Sequence, residues 1–262
     1  MSRLLSAVVL LVLVVGTIWL LPPAATVVLA ACAAGVAFTE YARLAAALGA
    51  PVPSVVTGAA VVGTCLAMGS TVVPVELVLM SAVIVIGSIA VAAGRPGSGI
   101  LQGAAAAAWA ILYIGVPLGS LAAVRVVAGR EAVLLLLATL VVSDSAQFYC
   151  GRAFGRTPLA PAVSPKKTVE GAIGGCVFGT AAMAIGGAWV FPGASRPILL
   201  LLSATIVLLG IVGDLFESLL KRSAGVKDTS GLIPGHGGML DRIDSWLFAS
   251  PMYYVFARYL QV

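Results

Sequence analysis

The residues of this chain that could do chemistry are concentrated in one stretch, residues 213–245. The stretch holds nine of the chain's 25 Asp, Glu, Lys and Arg residues. It also holds the only histidine, His236, inside a Pro-Gly-His-Gly-Gly turn. The whole chain is 61% hydrophobic and only 10% charged. Charge is sparse in most of the chain, so a stretch that collects this much of it is the candidate functional site.

Three aspartates of the stretch are candidate metal ligands. Asp214 ends an apolar run, and three polar residues follow it at i+3, i+4 and i+7, which places them on one helix face: Glu217, Ser218 and Lys221. Asp241 and Asp244 share a face if their segment is helical. Mg²⁺ takes oxygen ligands and usually binds one or two carboxylates plus substrate phosphates. The alternative role for Asp214 is an ordinary ion pair at the helix end. For Asp241 and Asp244 it is the favourable placement of acidic residues at a helix N-terminus.

A glycine-rich loop, residues 227–238, lies between these carboxylates. Gly235, Gly237 and Gly238 let backbone N–H groups approach a ligand closely. Four basic side chains in and beside the loop suit a polyphosphate: Lys221, Arg222, Lys227 and Arg242. For His236 we favour a hydrogen bond that stabilises the turn, and a metal ligand or a general base are its alternatives.

A second polar stretch, residues 144–171, follows the sixth apolar segment. It contains four basic residues in a Gly/Pro loop, Arg152, Arg156, Lys166 and Lys167. Thr168 is a candidate N-cap for the helix that follows. An excess of basic residues in cytoplasmic loops explains the Lys and Arg residues, but it does not explain Asp144 or Glu170.

The sequence contains no Ser-His-Asp arrangement, no Walker A sequence and no HExxH motif. The carboxylates, the cations and the glycine loop therefore point to metal-assisted chemistry on a nucleotide or lipid phosphate. The net charge is +5, but no basic run is interleaved with aromatic residues, so we expect no nucleic-acid partner.

These residues must be positioned by membrane helices. A soluble domain has about 25% charged residues, and a spanning helix needs about 20 mainly apolar ones. The fold class predicted is an all-α, polytopic integral membrane protein with about nine transmembrane helices. The predicted spans are Leu4–Leu21, Ala24–Phe38, Val55–Met68, Val73–Ala93, Ile100–Val124, Ala132–Tyr149, Gly171–Phe191, Pro197–Phe216 and Trp246–Leu260. Residues 1–131 are predicted to form a transmembrane scaffold, and residues 132–262 the catalytic region.

The distribution of basic residues predicts the orientation in the membrane. With nine spans, eleven of the 15 Lys and Arg residues fall on the side of the N-terminus, and four on the other. Because cytoplasmic loops carry the excess of Lys and Arg, the N-terminus and both polar loops are predicted to face the cytoplasm.

The charged stretch resembles the signature of the phosphatidate cytidylyltransferase (CDP-diacylglycerol synthase) family. The residues that carry the resemblance are Ser218-Leu-Leu-Lys221-Arg222, Lys227-Asp228, Pro234-Gly-His236-Gly-Gly238 and Asp241-Arg242-Ile-Asp244. The SPKKT-x-EG run at residues 164–171 and the preceding GRAFGR are also similar to the family. The resemblance covers roughly residues 144–244. Val169, where the family has an aromatic residue, and the run after Asp144 depart from the pattern.

The resemblance implies an enzyme that converts CTP and phosphatidic acid to CDP-diacylglycerol and pyrophosphate. It implies Mg²⁺ as the cofactor, with Asp214 and Asp241 as first ligands and Asp244 as a third, and it allows a second, monovalent cation, K⁺. The triphosphate or the lipid phosphate would be held by Lys221, Arg222, Lys227 and Arg242. Ser218 and His236 would position phosphates or ligands, and Lys166 and Lys167 would complete the site.

The resemblance also implies a setting for the enzyme. It implies a homodimer in the bilayer whose phosphatidic acid enters sideways between helices. The Ala, Val, Gly and Arg bias of the sequence suggests a bacterial source. We therefore expect a multi-pass protein of the bacterial inner membrane with its active site facing the cytoplasm.

Two other functions are compatible with the same membrane architecture. A related lipid enzyme would use CTP to phosphorylate a polyprenol or phytol, or would act on an unsaturated archaeal ether lipid. A cation transporter would use Asp214, Asp241 and Asp244 as its ion site, since midplane carboxylates on broken helices mark such proteins. The complete signature favours phosphatidate, and no two repeated halves are evident.

Overall fold

The structure is a computed structural model, which describes residues 2–70, 72–94, 96–97, 99–235 and 237–259. It is 80% helical and therefore all-α, as predicted, with one short β-hairpin in addition. The described elements are, in chain order, α1 (Ser2–Leu20), α2 (Pro23–Ala47), α3 (Ser54–Gly69), α4 (Val75–Ala92), α5 (Gly99–Ala110), a π-helical turn (Ile111–Gly115), α6 (Val116–Val127), α7 (Gly129–Phe154), β1 (Pro158–Ala160), β2 (Ser164–Thr168), α8 (Val169–Val190), α9 (Arg196–Ser223) and α10 (Leu240–Tyr259).

Six of the described helical segments are long and apolar enough to cross a membrane. They are Pro23–Ala47, Val75–Ala92, Gly99–Val127, Gly129–Phe154, Val169–Val190 and Arg196–Ser223. Leu5–Leu20 and Ser54–Gly69 are shorter apolar helices, and α10 does not meet the same criteria. The chain therefore has the helices of a multi-pass membrane protein, and the count of nine spans stays a prediction.

Several helices extend further than their apolar runs predicted, and three of them matter for the candidate site. α2 was predicted to end at Phe38 but continues to Ala47, because the residues after Phe38 are mostly good helix formers. α9 continues past Phe216 to Ser223, and α10 begins at Leu240 rather than Trp246. The polar ends of these three helices carry the charged residues of the candidate site.

The chain folds as two compact units. Unit 1 contains the residues up to Ala123 together with Leu220–Ile243, and unit 2 contains Val124–Leu219 together with the residues from Asp244 onward. These units group residues by packing, whereas the division predicted at residue 131 concerns function, and it stays a prediction. The glycine-rich loop belongs to unit 1, and the SPKKT hairpin belongs to unit 2.

The core of unit 1 is built on α2, α3 and the π-helical turn. Ala34 and Ala37 of α2 are fully buried, as small residues at a close helix contact are. The Tyr41 hydroxyl donates to the carbonyl oxygen of Ala106 at 2.9 Å. These contacts fix the end of α2 on which Glu40 lies.

The core of unit 2 is the close pairing of α7 and α8. A Cβ on Gly171 would lie 2.7 Å from the Gln147 carbonyl oxygen, so only glycine allows this approach. α10 is tied to α7 by Tyr253, whose buried hydroxyl donates to the Ala132 carbonyl oxygen at 2.8 Å. Phe191 stacks edge-on against Tyr253.

Candidate functional site

Asp241 is the centre of the candidate site in unit 1. It lies in the first turn of α10 and is buried, with 9% of its surface exposed. Its Oδ1 atom accepts a hydrogen bond from Lys221 Nζ at 2.5 Å, within a salt bridge. Its Oδ2 atom accepts from the backbone N–H groups of Thr229 at 3.0 Å and Gly238 at 2.7 Å. Asp241 thus joins the end of α9, the glycine-rich loop and the start of α10.

These partners keep Asp241 ionised. Burial alone would raise the pKa of the Asp241 carboxyl. The hydrogen bond from Lys221, those from the Gly238 and Thr229 amides, and the Lys221 charge together outweigh burial, so the pKa lies below its ordinary value. Asp241 is therefore a carboxylate at neutral pH and carries the negative charge that a metal ligand needs.

Glu40 is a buried residue of this cluster that the sequence analysis did not identify. It lies near the end of α2 and is 2% exposed. Its two oxygens accept from Ser230 Oγ at 2.6 Å and from the backbone N–H groups of Met239 and Leu240, each at 2.9 Å. The Thr229 hydroxyl lies 2.9 Å from Glu40 Oε2 and 2.9 Å from Asp241 Oδ2. Glu40 therefore holds both ends of the loop.

A signal for Glu40 was present in the sequence. An ionisable residue beside an apolar run is a functional candidate because its burial is costly. The predicted second span ended at Phe38, which placed Glu40 in a solvent loop. In the structure α2 continues past Glu40, and the side chain is buried against residues 229–240.

The glycines of the loop have distinct structural roles. Gly235 and Gly237 adopt positive φ values of 76° and 80°, which glycine tolerates best. Gly237 pairs with Ile233 in an isolated antiparallel bridge. A Cβ on Gly238 would overlap the Thr229 hydroxyl and lie 2.5 Å from Glu40 Oε1. His236, predicted to position phosphates or ligands, lies outside the described residues.

The other basic residues of the signature in unit 1 are at the surface. Lys227 and Arg242 are exposed. Arg222 is also exposed, and its Nη1 donates to the Val226 carbonyl oxygen at 3.0 Å, which closes the turn after α9. Lys221 differs because it is buried. The predicted contacts of these four residues with phosphate remain predictions.

Asp214 and Lys167 form an ion pair in unit 2. Lys167 comes from β2 of the hairpin and Asp214 from α9. Asp144 of α7 lies within electrostatic range of both and accepts a hydrogen bond from Gln147 at 3.0 Å. The structure thus brings together a carboxylate from each polar stretch, and it places Lys166 on the exposed side of the same hairpin.

The hairpin is fastened to the start of α8. Thr168 Oγ1 accepts from the Gly171 backbone N–H at 3.1 Å, which confirms the predicted N-cap. Glu170 accepts from the backbone N–H groups of Arg156 at 3.0 Å and Thr157 at 3.2 Å. These hydrogen bonds give Glu170 a structural role, which the excess of basic residues in this loop did not explain. The Glu170 carboxylate anchors the loop that carries Lys166 and Lys167.

Asp244 and Ser218 lie on the helices that carry the signature. Asp244 Oδ1 accepts from the Ser245 backbone N–H at 2.7 Å. α9 approaches it closely, because a Cβ on Gly213 would lie 2.6 Å from the Asp244 carbonyl oxygen. Ser218 is half-buried on α9. Their roles with metal and phosphate stay predictions.

The donor set suits a cation that also binds substrate. Among the described residues, no group of three or more His, Cys, Asp or Glu could hold a metal ion alone. Mg²⁺ usually takes one or two carboxylates and completes its shell with water and phosphate. Asp241 forms an ion pair with Lys221, and Asp214 forms one with Lys167. Each carboxylate is therefore already paired with a positive charge. Taken within its own unit, each of the two is a single carboxylate of the kind that Mg²⁺ uses when phosphate oxygens complete its shell.

Comparisons with known proteins extend the resemblance to nearly the whole chain. A model of the cytidylyltransferase family matches residues 1–260. The phosphatidate cytidylyltransferase of Helicobacter pylori (strain J99) is 38% identical over 189 residues, which is 72% of this chain and 67% of that protein. The phosphatidate cytidylyltransferase of Haemophilus influenzae is 44% identical over 134 residues, 47% of this chain and 45% of that protein. That of Thermotoga maritima is 37% identical over 147 residues, 51% of each.

Proposed function

Since the chain belongs to the cytidylyltransferase family, as its signature predicted, we propose that it transfers the cytidylyl group of CTP to phosphatidic acid. The products are CDP-diacylglycerol, an intermediate of phospholipid synthesis, and pyrophosphate. The observation that carries this proposal is the cluster of Lys221, Asp241 and the glycine-rich loop. It supplies a carboxylate, a buried cation and a loop of small residues in a chain whose relatives are named for this reaction.

The reaction exchanges one phosphoanhydride bond for another. A phosphate oxygen of phosphatidic acid forms a bond to the α-phosphorus of CTP, and the bond between the α-phosphorus and the bridging oxygen to the β-phosphate breaks. Pyrophosphate leaves with the electron pair of that bond. Because the attacking oxygen is already anionic, the reaction needs positioning and charge neutralisation more than a strong base. The absence of a recognisable catalytic triad in the sequence agrees with this.

The basic residues of the chain bind and orient the phosphates. Lys221 is held beside Asp241, and Lys227, Arg222 and Arg242 offer exposed positive charge around the loop. Positioned cations neutralise charge on the phosphate oxygens. In the proposal Lys166 and Lys167 contribute from the SPKKT hairpin, and Ser218 and His236 orient phosphates.

Mg²⁺, bound with CTP, would supply Lewis-acid polarisation of phosphate oxygens. Asp241, Asp214 and Asp244 are the residues that we propose to hold it, and a monovalent K⁺ ion beside it is part of the same proposal. The lysines that now pair with Asp241 and Asp214 would be free to contact phosphate oxygens once each carboxylate has another cation.

The proposed setting is the bacterial inner membrane with the phosphate-binding loops facing the cytoplasm, where CTP is available. Support comes from the apolar helices and from the excess of Lys and Arg on the predicted cytoplasmic side. We also propose a homodimer, following the resemblance to the family.

Product analysis with a panel of lipid acceptors tests the function. Purified protein in detergent receives Mg²⁺ and CTP labelled at the α-phosphate, with phosphatidic acid or a polyprenol as the acceptor. We expect the label to enter lipid only with phosphatidic acid, with release of one pyrophosphate per liponucleotide. A lipid kinase would instead leave the label in CDP and phosphorylate the alcohol. Labelled CDP without liponucleotide would overturn the proposal.

A further inference from the structure

The structure assigns Glu40 as a positioning residue for the phosphate-binding loop and for Asp241. This inference rests on the proposed function, and it concerns a residue of the N-terminal scaffold for which the signature predicts no role. Glu40 belongs to unit 1, as do the loop and Asp241, so every contact below lies within one compact unit.

The first observation is that the Glu40 side chain makes its hydrogen bonds with the loop and with the residues directly after it. All the partners of its side chain described above come from residues 229–240, which lie about 190 positions away in the sequence. A carboxylate buried to 2% exposure is costly unless several donors satisfy it. Hydroxyl and amide donors from both ends of the loop meet this requirement here, so the burial of Glu40 and the conformation of the loop depend on each other.

The second observation is the position at which Glu40 meets α10. It accepts the backbone N–H groups of Met239 and Leu240, at the helix start. The first N–H groups of a helix have no partner within that helix, and a negative charge at that end is favourable. Asp241 lies in the next position and reaches back to the Gly238 N–H. Glu40 therefore sets the direction in which the first turn presents the Asp241 carboxylate.

The third observation is the Thr229 hydroxyl between the two carboxylates. It is 2.9 Å from an oxygen of Glu40 and 2.9 Å from an oxygen of Asp241. A hydroxyl has one proton, so it can donate to only one of the two at a time. Glu40 thus competes with Asp241 for the Thr229 hydroxyl proton, which couples the positions of the two carboxylates.

Close packing around Gly238 fixes the loop backbone against the Glu40 carboxylate. There is no space for a Cβ on Gly238 between the Thr229 hydroxyl and the Glu40 carboxylate. The loop backbone therefore contacts Glu40 directly. A change in that carboxylate moves the backbone and not merely a flexible side chain. Glu40 acts on the reaction through Asp241 and the loop, without contact to the reacting atoms.

Charge removal by Glu40→Gln is the central test. Each Glu40 oxygen accepts one backbone N–H group, from Met239 or from Leu240. In either orientation the glutamine amide therefore turns its NH₂ group toward a backbone donor, and a hydrogen bond at the start of α10 is lost. Removing a partner that orients a metal-binding carboxylate typically costs roughly 10–100-fold in affinity or activity. We expect a rise in the KM for CTP and a fall in kcat. Hydrogen exchange of residues 229–241, measured without CTP or Mg²⁺, should be faster. Glu40→Asp keeps the charge and should lose less.

The control is Glu76→Gln, the same change at an exposed carboxylate in the first turn of α4. It should behave as wild type in kinetics and in loop exchange. A purely structural role of Glu40 would lower the folded fraction and hence the apparent kcat, with the KM for CTP and the exchange of the folded protein unchanged. That result, or wild-type behaviour of Glu40→Gln, would overturn the inference.

A second pair of variants decides the matter if Glu40→Gln does not fold. Thr229→Val removes the hydroxyl between the carboxylates at nearly constant volume, and Thr229→Ser keeps it. We expect Thr229→Val to raise the KM for CTP and Thr229→Ser to stay close to wild type. Equal kinetics of the two would overturn the inference. If wild-type protein made no liponucleotide, the proposed function would fail, while hydrogen exchange would still report whether Glu40 holds the loop.

Discussion

Lys221 and Asp241 form a buried ion pair in which Nζ lies 2.5 Å from Oδ1, although 20 positions separate them in the sequence. Their side chains are 11% and 4% exposed. The pair connects the end of α9 to the start of α10 across the glycine-rich loop. It places a positive and a negative group, both buried, at the position where the proposed function needs a phosphate contact and a cation ligand.

Replacement of Lys221 by methionine should destabilise the protein. Lys221→Met leaves Asp241 buried with its amide donors but without its ammonium partner. Loss of a hydrogen bond to a charged group costs roughly 1.5–3 kcal/mol, and we expect a loss of unfolding free energy of that size. Thermal unfolding in detergent measures it. Lys227→Met, at an exposed position of the glycine-rich loop, should leave the unfolding midpoint unchanged. Equal midpoints for the two variants would show that the buried pair does not stabilise the fold.

The Asp241 carboxylate should make stability depend on acid pH. Its folded pKa lies below the ordinary value, so its contribution is complete above the unfolded pKa of about 4. That contribution is lost as the pH falls through the unfolded value toward the folded one. We expect the unfolding midpoint of wild type to fall more steeply below about pH 4 than that of Asp241→Asn. The exposed Asp228→Asn change is the control, and parallel curves for wild type and Asp241→Asn would contradict the prediction.

Gly238 should not tolerate a methyl group. In Gly238→Ala the new Cβ collides with the Thr229 hydroxyl and the Glu40 carboxylate, and overpacking of this kind costs roughly 1–3 kcal/mol. We expect lower thermal stability and loss of most transferase activity. Gly231→Ala is the matched control, since a Cβ there meets nothing within 4 Å. Full activity of Gly238→Ala would mean that the loop is not seated on Glu40 as the structure has it.

Glu170 should hold the SPKKT hairpin in its position at the start of α8. Glu170→Gln weakens the hydrogen bonds that the Glu170 carboxylate accepts from the Arg156 and Thr157 amides. Because the rest of α8 is unchanged, we expect faster hydrogen exchange in residues 155–168 and a higher KM for CTP. The unfolding midpoint should change little. If exchange in the hairpin stayed at the wild-type rate, its anchoring would lie elsewhere.

The sequence located the loop, Asp241 and Lys221 because the signature fixes residue types at fixed spacings over a long stretch. It also identified the Thr168 cap, since capping is a local interaction that three or four residues determine. The helical, multi-pass character followed from composition alone. The ends of α2, α9 and α10 were missed because hydropathy reports where apolar residues stop, whereas a helix can continue into polar residues.

The pairings of the charged residues could not be predicted. Helical spacing placed Asp214 and Lys221 on one face, so an ion pair at the end of that helix was the alternative to a metal-ligand role for Asp214. In the structure Asp214 pairs with Lys167 and Lys221 pairs with Asp241, because spacing identifies faces and not the elements that pack against them. Glu40 was missed for the same reason, since its partner Thr229 is 189 positions away.

The role of Asp241 in the proposed reaction is tested most directly by cytidylyl transfer with wild type, Asp241→Asn and the exposed control Asp228→Asn under one set of conditions. Each purified variant receives phosphatidic acid, Mg²⁺ and CTP labelled at the α-phosphate, after its fold has been checked by thermal unfolding. We predict labelled CDP-diacylglycerol and equimolar pyrophosphate from wild type, with loss of nearly all product in Asp241→Asn. A folded Asp241→Asn that forms liponucleotide at the wild-type rate would contradict the claim that the reaction takes place at this cluster.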